Sequence, residues 1–595
     1  MDGEGRRTEE ELTLRSILRE GREWELAELP DASLVGSIRG ALGCSDAFAT
    51  LLAQRAGDSW RSLIELGIRS FHSPFLLKDM DAAVERLRRA IDAKERIFVH
   101  GDFDVDGLSG AAVLYRGLRP LLPENSVKVE VSERSVGHGL SPSFALRAID
   151  EKFNLVVTVD CGVGNHQEID RLREAGIDTV VTDHHLPVGG LPNAVAIVDP
   201  HREDATYPNK NLAGVGVAFK LICALYERMG RTPPYHLLDL VALGTIADIV
   251  PLSSTNGESE NRAFVREAFA AIAKGEGSSL GLRMLMERLT IKAKSLSASD
   301  IGYLIAPKLN AANRAGDPKV AFLLLVTEDR TKAEYLSEIL LDYNRDREIA
   351  QNDLMSQAED LIRGEERDPR QDGYVFLVGK YWNAGILGLV ASNLADRYRV
   401  PAFVLSKGDR TSRGSCRSAN GFNMSACLEA QADLLLQFGG HKAAAGFAVA
   451  NENIESLEAA IEAYVADHQE EETEMRRESI DTRTTLPEID ARFHADLMSL
   501  SPFGLGNPQP RFLLENCTFE DLILVGNRKQ HLKGRVTQGT TSLPFIAFRK
   551  GKHLEAFEQI DNASLVCQIG FDDWQGAVQA QGIDLVHPRG TDQED

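Results

Sequence analysis

The sequence has few cysteines and no long apolar segment. Its seven cysteines are scattered, and no two of them form a CxxC pair. Disulfides and a thiolate zinc site are therefore not expected, and a reducing cytoplasm is the predicted location. No apolar run approaches the roughly 20 residues that a membrane-spanning helix needs, so no membrane partner is predicted. The stretch 1–11 carries charges of both signs and has no apolar centre, so we expect no secretion signal there.

The charge balance limits how the protein can bind nucleic acid. Asp and Glu outnumber Lys and Arg by 89 to 66, which gives a formal net charge of −23. Such an acidic protein is not expected to bind nucleic acid over its whole surface, although a local basic groove remains open. At 595 residues the chain is too long for one hydrophobic core and should hold three or four folded domains.

The order of helix and strand patterns divides the chain into regions of different type. Short apolar strands alternate with amphipathic helices between 92 and 252, the pattern of a doubly wound α/β domain. The unbroken charged stretch 333–361 predicts a long connecting helix, and the acidic run Gln469–Glu474 a helix end or linker. The predicted regions are an N-terminal helical region (1–70), a doubly wound parallel-sheet α/β domain (71–255), a helical insert with the connecting helix (256–365), a second α/β domain (366–468) and a C-terminal β-barrel of the oligonucleotide-binding type (480–595).

Four acidic or acid–histidine clusters each follow a short apolar run. They are Asp102–Gly107, Val159–Gly162, Thr182–His185 and Ala247–Asp248. The first three runs read as buried parallel strands, so their carboxylates and imidazoles should emerge together at one edge of a sheet. So much like charge in one place is costly unless divalent metal lies among it. The sequence therefore predicts a metal-dependent enzyme.

The first cluster places carboxylates at alternate positions. Asp102, Asp104 and Asp106 would share one face of an extended segment and could converge on an ion. The string also resembles the start of an EF-hand calcium loop, but that loop needs an acidic twelfth residue, and Val113 stands there. We therefore favour a metal centre over a calcium loop.

The other clusters differ in how specific they are. A single Asp at a strand end, such as Asp160, is more often a helix cap, so its weight comes from repetition of the pattern in one sheet. Adjacent His184 and His185 point in different directions, so one can bind metal while the other faces substrate. Asp248 lies in so apolar a segment that it should be paired or metal-bound.

The type and number of these side chains indicate which metal is bound. Mixed oxygen and imidazole ligands favour Mn²⁺ over Mg²⁺, which prefers oxygen and water, although Mg²⁺ is also possible. The number of candidates suggests two divalent ions that share a carboxylate. Two such ions roughly 3.5–4 Å apart are the arrangement used for in-line attack on phosphate esters.

These motifs, in this order, resemble the DHH phosphoesterase family, which is named after the triplet found here at Asp183–His185. The resemblance covers nearly the whole chain. The matching segments are Gly101–Gly107, Asp160, Asp183–His185, Gly244–Asp248, Pro307–Arg314, Gly439–Gly446 and Pro502–Pro508. The last segment is typical of the branch of bacterial single-strand-specific 5′→3′ exonucleases, which act in DNA recombination and repair. By this resemblance the first α/β domain is the DHH catalytic domain, and the chain is a single-stranded-DNA exonuclease.

The resemblance also implies which residues bind metal. The implied ligands are Asp104, Asp106, Asp160, His184 and Asp248, with Asp160 bridging. His185 should contact the scissile phosphate or complete the coordination. Asp102 is either a further ligand or orients one. His100 stands where small-substrate members carry a ligand, and its role here is open.

A further implication concerns substrate binding. The second α/β domain is similar to the DHHA1 substrate-binding domain, and its Gly439, Gly440 and His441 should bring backbone amides and an imidazole to phosphate. Arg134 and Arg314 should lie near backbone phosphates, since guanidinium groups suit them, although a surface ion pair is the alternative for each arginine. Ser415 and Arg417 belong to a segment that should hold the 5′ end.

The chain departs from the family pattern at several positions. Family members have Gly where this chain has Asn313 and Cys416, often Tyr in place of His138, and His in place of Asn383. None of these changes removes a metal ligand. The substitutions at 313 and 416 bear on the backbone of the substrate groove.

The predicted barrel is the expected grip on unpaired DNA. Phe512, Phe545 and Phe548 are candidates for base stacking, with core packing as the alternative. A locally basic set surrounds them: Arg528, Lys529, Lys533, Arg535, Arg549, Lys550 and Lys552. The resemblance implies a single-strand-binding protein and a helicase as partners of a monomeric enzyme. Two other hypotheses stay open, a phosphodiesterase for short oligonucleotides or small nucleotides, and a non-catalytic scaffold.

Overall fold

The computed structural model describes most of the chain as two compact units. The described residues are 13–18, 22–134, 137–253, 259–277, 279–364, 368–468, 476–560, 563–572 and 574–588. The predictions of no secretion signal in 1–11 and of a linker at Gln469–Glu474 lie outside them. The first unit comprises 1–72, 249–267 and 474–595, and the second comprises 73–248 and 268–473.

The second unit contains the predicted doubly wound parallel sheet. Its strands are β3 (Ile97–Gly101), β4 (Val127–Val131), β5 (Leu155–Val159), β6 (Asp178–Thr182) and β7 (Ala196–Val198). All pair in parallel in the order β4-β3-β5-β6-β7. Every residue of β3 and β5 is buried, as expected for strands covered on both faces. The strand order reverses between β3 and β5, and ligands bind at such a switch point in open α/β sheets.

Helices cover this sheet and continue into the insert. Around the sheet lie α4 (Met80–Asp92), α5 (Val105–Leu118), α6 (Pro142–Asp150), α7 (His166–Glu174), α8 (Gly214–Arg228) and α9 (Leu238–Ala247). The insert holds α10 (Glu260–Lys274), α11 (Leu280–Arg288), α12 (Ala306–Ala315), α13 (Pro318–Val326) and α14 (Arg330–Gly364). The last, with 35 residues, is about 50 Å long and confirms the predicted connecting helix.

The second α/β domain has a mixed sheet. Its strands are β8 (Val375–Lys380), β9 (Ala402–Lys407), β10 (Thr411–Arg417), β11 (Leu435–His441) and β12 (Ala444–Ala450), in the order β11-β12-β10-β9-β8. The helices are α15 (Pro369–Asp372), α16 (Ala384–Tyr398), α17 (Met424–Glu429) and α18 (Ile454–His468). Separate apolar clusters pack on the two faces of the sheet, so both faces are covered.

The first unit contains the predicted barrel. Strands β15 (Phe512–Val525), β16 (His531–Gln538), β17 (Thr541–Ala547), β19 (Ala577–Pro588) and β18 (Ala563–Asp572) pair in that order, and β18 pairs back onto β15. This closure leaves no open edge in the barrel and confirms the oligonucleotide-binding type. Strands β13 (Arg476–Ile480) and β14 (Thr482–Arg483) and helices α19 (Ala491–Met498) and α20 (Leu554–Gln559) complete this part.

The N-terminal region, predicted to be helical, also contains two strands. Helices α1 (Ala32–Leu42), α2 (Asp46–Ala56) and α3 (Arg61–Ile64) follow two strands, β1 (Thr13–Ser16) and β2 (Arg22–Leu26). β1 pairs with β19, and the buried indole of Trp24 donates a hydrogen bond to Asp584 Oδ2 at 2.9 Å. Both strands are short and charged, so pairing with distant strands stabilises them: β1 pairs with β19, and β2 pairs with β1 and β13.

The aromatic candidates of the barrel divide into two groups. Phe512 and Phe545 are fully buried in its core, whereas Phe548 is 52% exposed. The stacking prediction therefore fails for the first two, because their rings fill the space between the barrel strands. Lys550 is also buried, which removes it from the predicted basic surface.

The predictions about disulfides and about membrane-spanning helices can be compared with the described residues. All seven cysteines are free thiols, and all are buried. Every described helix is too short or too polar to span a bilayer.

Candidate metal centre and substrate site

The first carboxylates of the site follow strand β3. Asp102 and Asp104 lie between β3 and α5, and Asp106 lies in the first turn of that helix. Asp104 caps the helix, since its Oδ1 accepts hydrogen bonds from the backbone N–H groups of Asp106 at 2.9 Å and Gly107 at 3.1 Å. The helix begins at Val105, so the alternation argument, which assumed an extended segment, does not hold for Asp106.

The carboxylate of Asp106 is fixed by the start of another helix. Its two oxygens accept hydrogen bonds from the backbone N–H groups of Gly214 at 2.6 Å and Val215 at 2.9 Å, in the first turn of α8. A Cβ at position 214 would lie 2.6 Å from the Cβ of Asp160, so glycine is needed for this close approach. The roles of these two backbone N–H groups were not predicted, because their only sequence signal is a glycine at the start of an apolar helix.

Asp160 and His184 lie at the centre of the site. Asp160 follows β5 in a left-handed conformation with φ of 61°, and its N–H donates to Thr182 O at 3.0 Å. The Nε2 atom of His184 is 3.1 Å from Asp160 Oδ1, 3.7 Å from Asp248 Oδ2 and 3.8 Å from Asp106 Oδ2. Residues from separate segments of the chain therefore converge on one imidazole nitrogen.

Asp183, the acid of the Asp183–His185 triplet, positions the two histidines that follow it. Its buried carboxylate accepts from the backbone N–H groups of Val163, His184 and His185 and pairs with His185 Nδ1 at 2.7 Å. Burial works against protonation of His185, but its hydrogen bond to Asp183 prevails and raises the pKa of His185 to about 9. Burial lowers the pKa of His184 to about 4, and a neutral imidazole suits a metal ligand.

The side chains form overlapping sets whose donor atoms fit a metal ion. Atoms within 4.8 Å of one another come from Asp102, Asp104 and Asp160, from Asp106, His184 and Asp248, and from Asp160, His184 and His185. Burial and neighbouring carboxylates raise the pKa values of Asp106 and Asp160 well above the ordinary range. Clustered carboxylates in a buried site are stabilised by divalent cations, so these residues fit divalent metal.

Asp102, His100 and His138 surround this cluster. Asp102 is fully buried, and its Oδ2 has no hydrogen-bond partner, whereas its Oδ1 lies 3.2 Å from His138 Nδ1. His100 has its Nε2 3.0 Å from Ser132 Oγ and does not belong to any of the three sets. The substituted His138 also lies with its ring 5.0 Å from that of His185, so this departure borders the metal cluster.

Four arginines lie close to one another in the same unit, and two of them, Arg134 and Arg314, also lie near Asp104. Burial together with the charges of Arg134, Arg347 and Arg417 lowers the pKa of Arg314 to about 9. Arg134 lies over the ring of Phe103 at 4.9 Å. Arg314 donates to Gly385 O at 2.8 Å. So many cations in a partly buried place favour a bound anion.

One of these arginines, Arg347, was not predicted from the sequence. Arg347 lies midway along α14, where it donates to Asn344 Oδ1 and Gln351 Oε1, each at 2.8 Å. Its Nε is buried and lacks a hydrogen-bond partner. In the charged run of the connecting helix it resembled any solvated residue, so no sequence signal distinguished it.

The predicted 5′-end residues share one face of β10. Ser415 and Arg417 alternate with the buried Cys416, and Arg417 NH1 donates to Ser415 Oγ at 3.1 Å. The Cys416 side chain points to the apolar core, so it lies on the face of β10 opposite to Ser415 and Arg417. Gly439, Gly440 and His441 lie exposed at the end of β11.

The two remaining departures have local structural roles. Asn313 Nδ2 donates to Phe103 O at 2.8 Å, which ties helix α12 to the loop that carries Asp102 and Asp104. Asn383 caps α16 by accepting a hydrogen bond from the Gly385 N–H at 2.9 Å. Neither side chain belongs to the three sets of candidate ligands.

Comparison with known families identifies the class of protein. Residues 96–245 match the DHH family, N-terminal domain, residues 371–467 the DHHA1 domain, and residues 480–583 the RecJ OB domain. Together with the carboxylates and histidines at the switch point of the sheet, these matches define a metal-dependent hydrolase of the DHH family.

Individual relatives narrow this assignment. A single-stranded-DNA-specific exonuclease RecJ from Bacillus subtilis (strain 168) is 32% identical over 565 residues, which cover 94% of this chain and 70% of the relative. A crystal structure of RecJ from Thermus thermophilus with Mn²⁺ is 30% identical at a TM-score of 0.77, covering 95% of this chain and 80% of that one. Its Mg²⁺ complex is 28% identical at a TM-score of 0.73, covering 95% and 79%. The chain belongs to the RecJ family of single-stranded-DNA-specific exonucleases.

Proposed function

We propose that this protein is a manganese-dependent exonuclease that degrades single-stranded DNA from its 5′ end. The observation that carries the proposal is the buried set of carboxylates and imidazoles beside four mutually repelling arginines in one unit. The first group fits cations and the second fits phosphate, so together they suit a phosphodiester at a strand terminus.

Asp104, Asp106, Asp160, His184 and Asp248 would hold two divalent ions, and the mixed oxygen and nitrogen donors favour Mn²⁺. Asp160, whose carboxylate belongs to two of the three sets, would contribute to both ions. Bound ions of this kind supply a water nucleophile at neutral pH and neutralise charge that develops on the phosphate. Asp102, which lacks polar partners on Oδ2, is a further ligand or orients Asp104.

The other side chains bind and orient the substrate. His185 is held by Asp183 through Nδ1, and its raised pKa of about 9 keeps it a proton donor to a phosphate oxygen. Arg134 and Arg314 contact backbone phosphates. Ser415 and Arg417, which share a face of β10, hold the 5′-terminal phosphate and thereby set the direction of digestion. Gly439, Gly440 and His441 support a further phosphate with backbone amides and an imidazole.

The barrel holds the unpaired strand. In this fold the loops joining the first to the second and the fourth to the fifth strand bind oligonucleotides. The first loop carries Arg528 and Lys529, which are exposed, and the second carries Trp574, which is 94% exposed. Trp574 and Phe548 stack bases without reading sequence, and the exposed cations contact the backbone.

The cellular setting is inferred from the same family membership. We infer a cytoplasmic monomer that acts with a single-strand-binding protein and a helicase in recombination and repair. The three family matches each lie within one of the regions predicted from the sequence, which supports the proposed domain boundaries.

An end-labelled digestion tests this function. Single- and double-stranded DNA labelled at either terminus would be incubated with Mn²⁺, Mg²⁺ or a chelator. We expect the 5′ label of single strands to be released first, with the highest rate in Mn²⁺ and none in chelator. Equal rates on dinucleotides and on long strands would instead indicate a phosphodiesterase for short oligonucleotides.

A further inference from the structure

A fifth segment with an acid and a histidine, Asp199–His201, leaves the sheet beside the candidate metal ligands and has no role in the proposed chemistry. It follows β7, which pairs in parallel with β6 so that Val198 lies opposite Thr182. The Asp183 N–H donates to Val198 O at 3.1 Å, which extends the pairing by one bond beyond the strands. The segments that follow β6 and β7 therefore leave the sheet side by side, and both belong to the second unit.

The imidazole of His201 contacts the backbone of His184. Its Nδ1 atom lies 2.5 Å from His184 O. A carbonyl oxygen can only accept a hydrogen bond, so Nδ1 carries a proton and donates it to this bond. His201 does not belong to any of the three sets of candidate ligand atoms, so its contact is with the backbone of a candidate ligand.

Both polar groups of the peptide between His184 and His185 are bonded to side chains. The carbonyl of this peptide accepts from His201, and its N–H donates to Asp183 Oδ1 at 3.2 Å. Since a peptide is planar, bonds at both of its edges fix the ψ angle of His184 and the φ angle of His185. These two angles set the directions of the two side chains relative to each other. The bonds therefore keep the His184 imidazole at the carboxylate cluster and the His185 imidazole at Asp183.

The turn that carries His201 is held by bonds that do not involve its imidazole. The His201 backbone N–H donates to Oδ1 of the fully buried Asp199 at 2.7 Å. Arg202 Nη1 donates to Ile197 O at 2.7 Å. Because these bonds persist when the imidazole is replaced, a substitution at 201 should remove the bond to the ligand backbone and leave the turn in place.

We propose that His201 is a positioning residue of the metal centre, and this rests on the proposed function of His184 as a ligand. By donating its Nδ1–H to the His184 carbonyl, His201 holds the peptide that directs the His184 imidazole towards Asp160. When this bond is removed, the peptide keeps only its bond to Asp183 and is free to rotate. The Nε2 atom of His184 then loses its fixed place, although every candidate ligand is still present.

Manganese binding to the full-length protein tests this role without relying on activity. His201→Ala removes the donor, His201→Asn places an amide N–H where Nδ1 stood, and His201→Gln places it at the position of Nε2 instead. Free Mn²⁺ would be titrated by electron paramagnetic resonance, and the folding of each variant would be checked by its melting temperature in chelator. We expect His201→Ala and His201→Gln to weaken binding about tenfold, as loss of a partner behind a metal ligand does, and His201→Asn to stay within about threefold. If His201→Ala does not fold, His201→Gln, which keeps the bulk of the side chain, takes its place.

A second histidine provides a matched control. His468 also has its Nδ1 close to a backbone carbonyl, 2.8 Å from Tyr464 O, in the same unit. It is exposed at the end of α18 and lies outside the three sets of candidate ligand atoms. His468→Ala should therefore leave Mn²⁺ binding within about twofold of the wild type. Equal binding by His201→Ala and His468→Ala, or by His201→Ala and His201→Asn, would overturn the proposal.

A double-mutant cycle with His184→Ala distinguishes this proposal from the function on which it rests. His184→Ala removes the imidazole itself and should weaken Mn²⁺ binding more than His201→Ala does. Because His201 acts through His184, adding His201→Ala to His184→Ala should have little further effect, and equal factors in the two backgrounds would refute the positioning role. If His184→Ala binds like the wild type, the ligand assignment fails. If His184→Ala weakens binding while His201→Ala does not, the metal centre stands and the positioning role of His201 is refuted.

Discussion

Replacing Asp248 by Asn should make the metal-free protein more stable while it weakens metal binding. Burial, followed by repulsion from Asp104, raises the pKa of Asp248 to about 7 from an ordinary value of 3.8. This difference corresponds to about 4 kcal/mol against the ionised form. Because the side chain is 28% exposed, and because Asn must also be desolvated, we expect a gain of about 1–3 kcal/mol.

The gain should depend on pH in a definite direction. Since folding raises the pKa of this carboxyl, its ionisation destabilises the folded protein. The cost is absent below about pH 4, grows between pH 4 and 7 and is complete above pH 7. The advantage of Asp248→Asn in metal-free buffer should therefore be largest at pH 8 and should shrink towards pH 5.

Thermal unfolding with and without manganese measures both effects. In chelator at pH 8 the variant should melt higher, by about 1 °C per kcal/mol for a chain of this size. Mn²⁺ at 100 times its dissociation constant adds about 2.7 kcal/mol to the stability of the wild type, and the variant should gain much less. The difference in melting temperature between the two proteins should therefore shrink or reverse in Mn²⁺. Asp92→Asn serves as control, because Asp92 also ends a helix, α4, but is exposed. Equal shifts for the two variants in chelator, or a gain independent of pH, would refute the reasoning.

Three further variants test separate parts of the account. Arg417→Gln should raise KM at least tenfold for 5′-phosphorylated single strands and much less for 5′-hydroxyl strands, since it removes the guanidinium beside Ser415; an equal rise for both strands would contradict this role. Trp574→Ala should weaken metal-free binding of single-stranded DNA by about 1–3 kcal/mol in fluorescence anisotropy, whereas Leu29→Ala, also exposed in this unit, should not; equal affinities would remove Trp574 from the DNA surface. Cys416→Gly should lower the melting temperature by the equivalent of about 1–2 kcal/mol, since glycine weakens a strand and leaves a cavity, with digestion within twofold; a large change in digestion would show that position 416 reaches the groove.

The carboxylates and histidines of the site were accessible from the sequence for a physical reason. Asp102, Asp160 and Asp183 each follow an apolar run, and parallel strands carry whatever follows them to one edge of a sheet. Sequence order therefore translated directly into spatial proximity. The reversal of strand order between β3 and β5 placed two of these segments side by side.

Other contributors depend on pairings between distant segments, which no local pattern reports. Val215 supplies only a backbone N–H to Asp106, and its side chain gives no hint of this. Arg347 joins the other arginines because α14 passes beside them, although its own run of charges reads as a solvated helix. Strand β1 forms because β19, more than 560 residues later, offers an edge. Phe512 and Phe545 are similar to Phe548 in sequence context, and only barrel closure decides which rings are buried.

The central claim is that this cluster of carboxylates and imidazoles binds paired cations. Anomalous diffraction at the manganese absorption edge, from crystals of the protein grown with Mn²⁺, tests it most directly. The account predicts two anomalous peaks roughly 3.5–4 Å apart, with Asp160 between them and Asp106, His184 and Asp248 around one ion. Ordered side chains with no anomalous peak among them, or manganese bound only elsewhere, would contradict it.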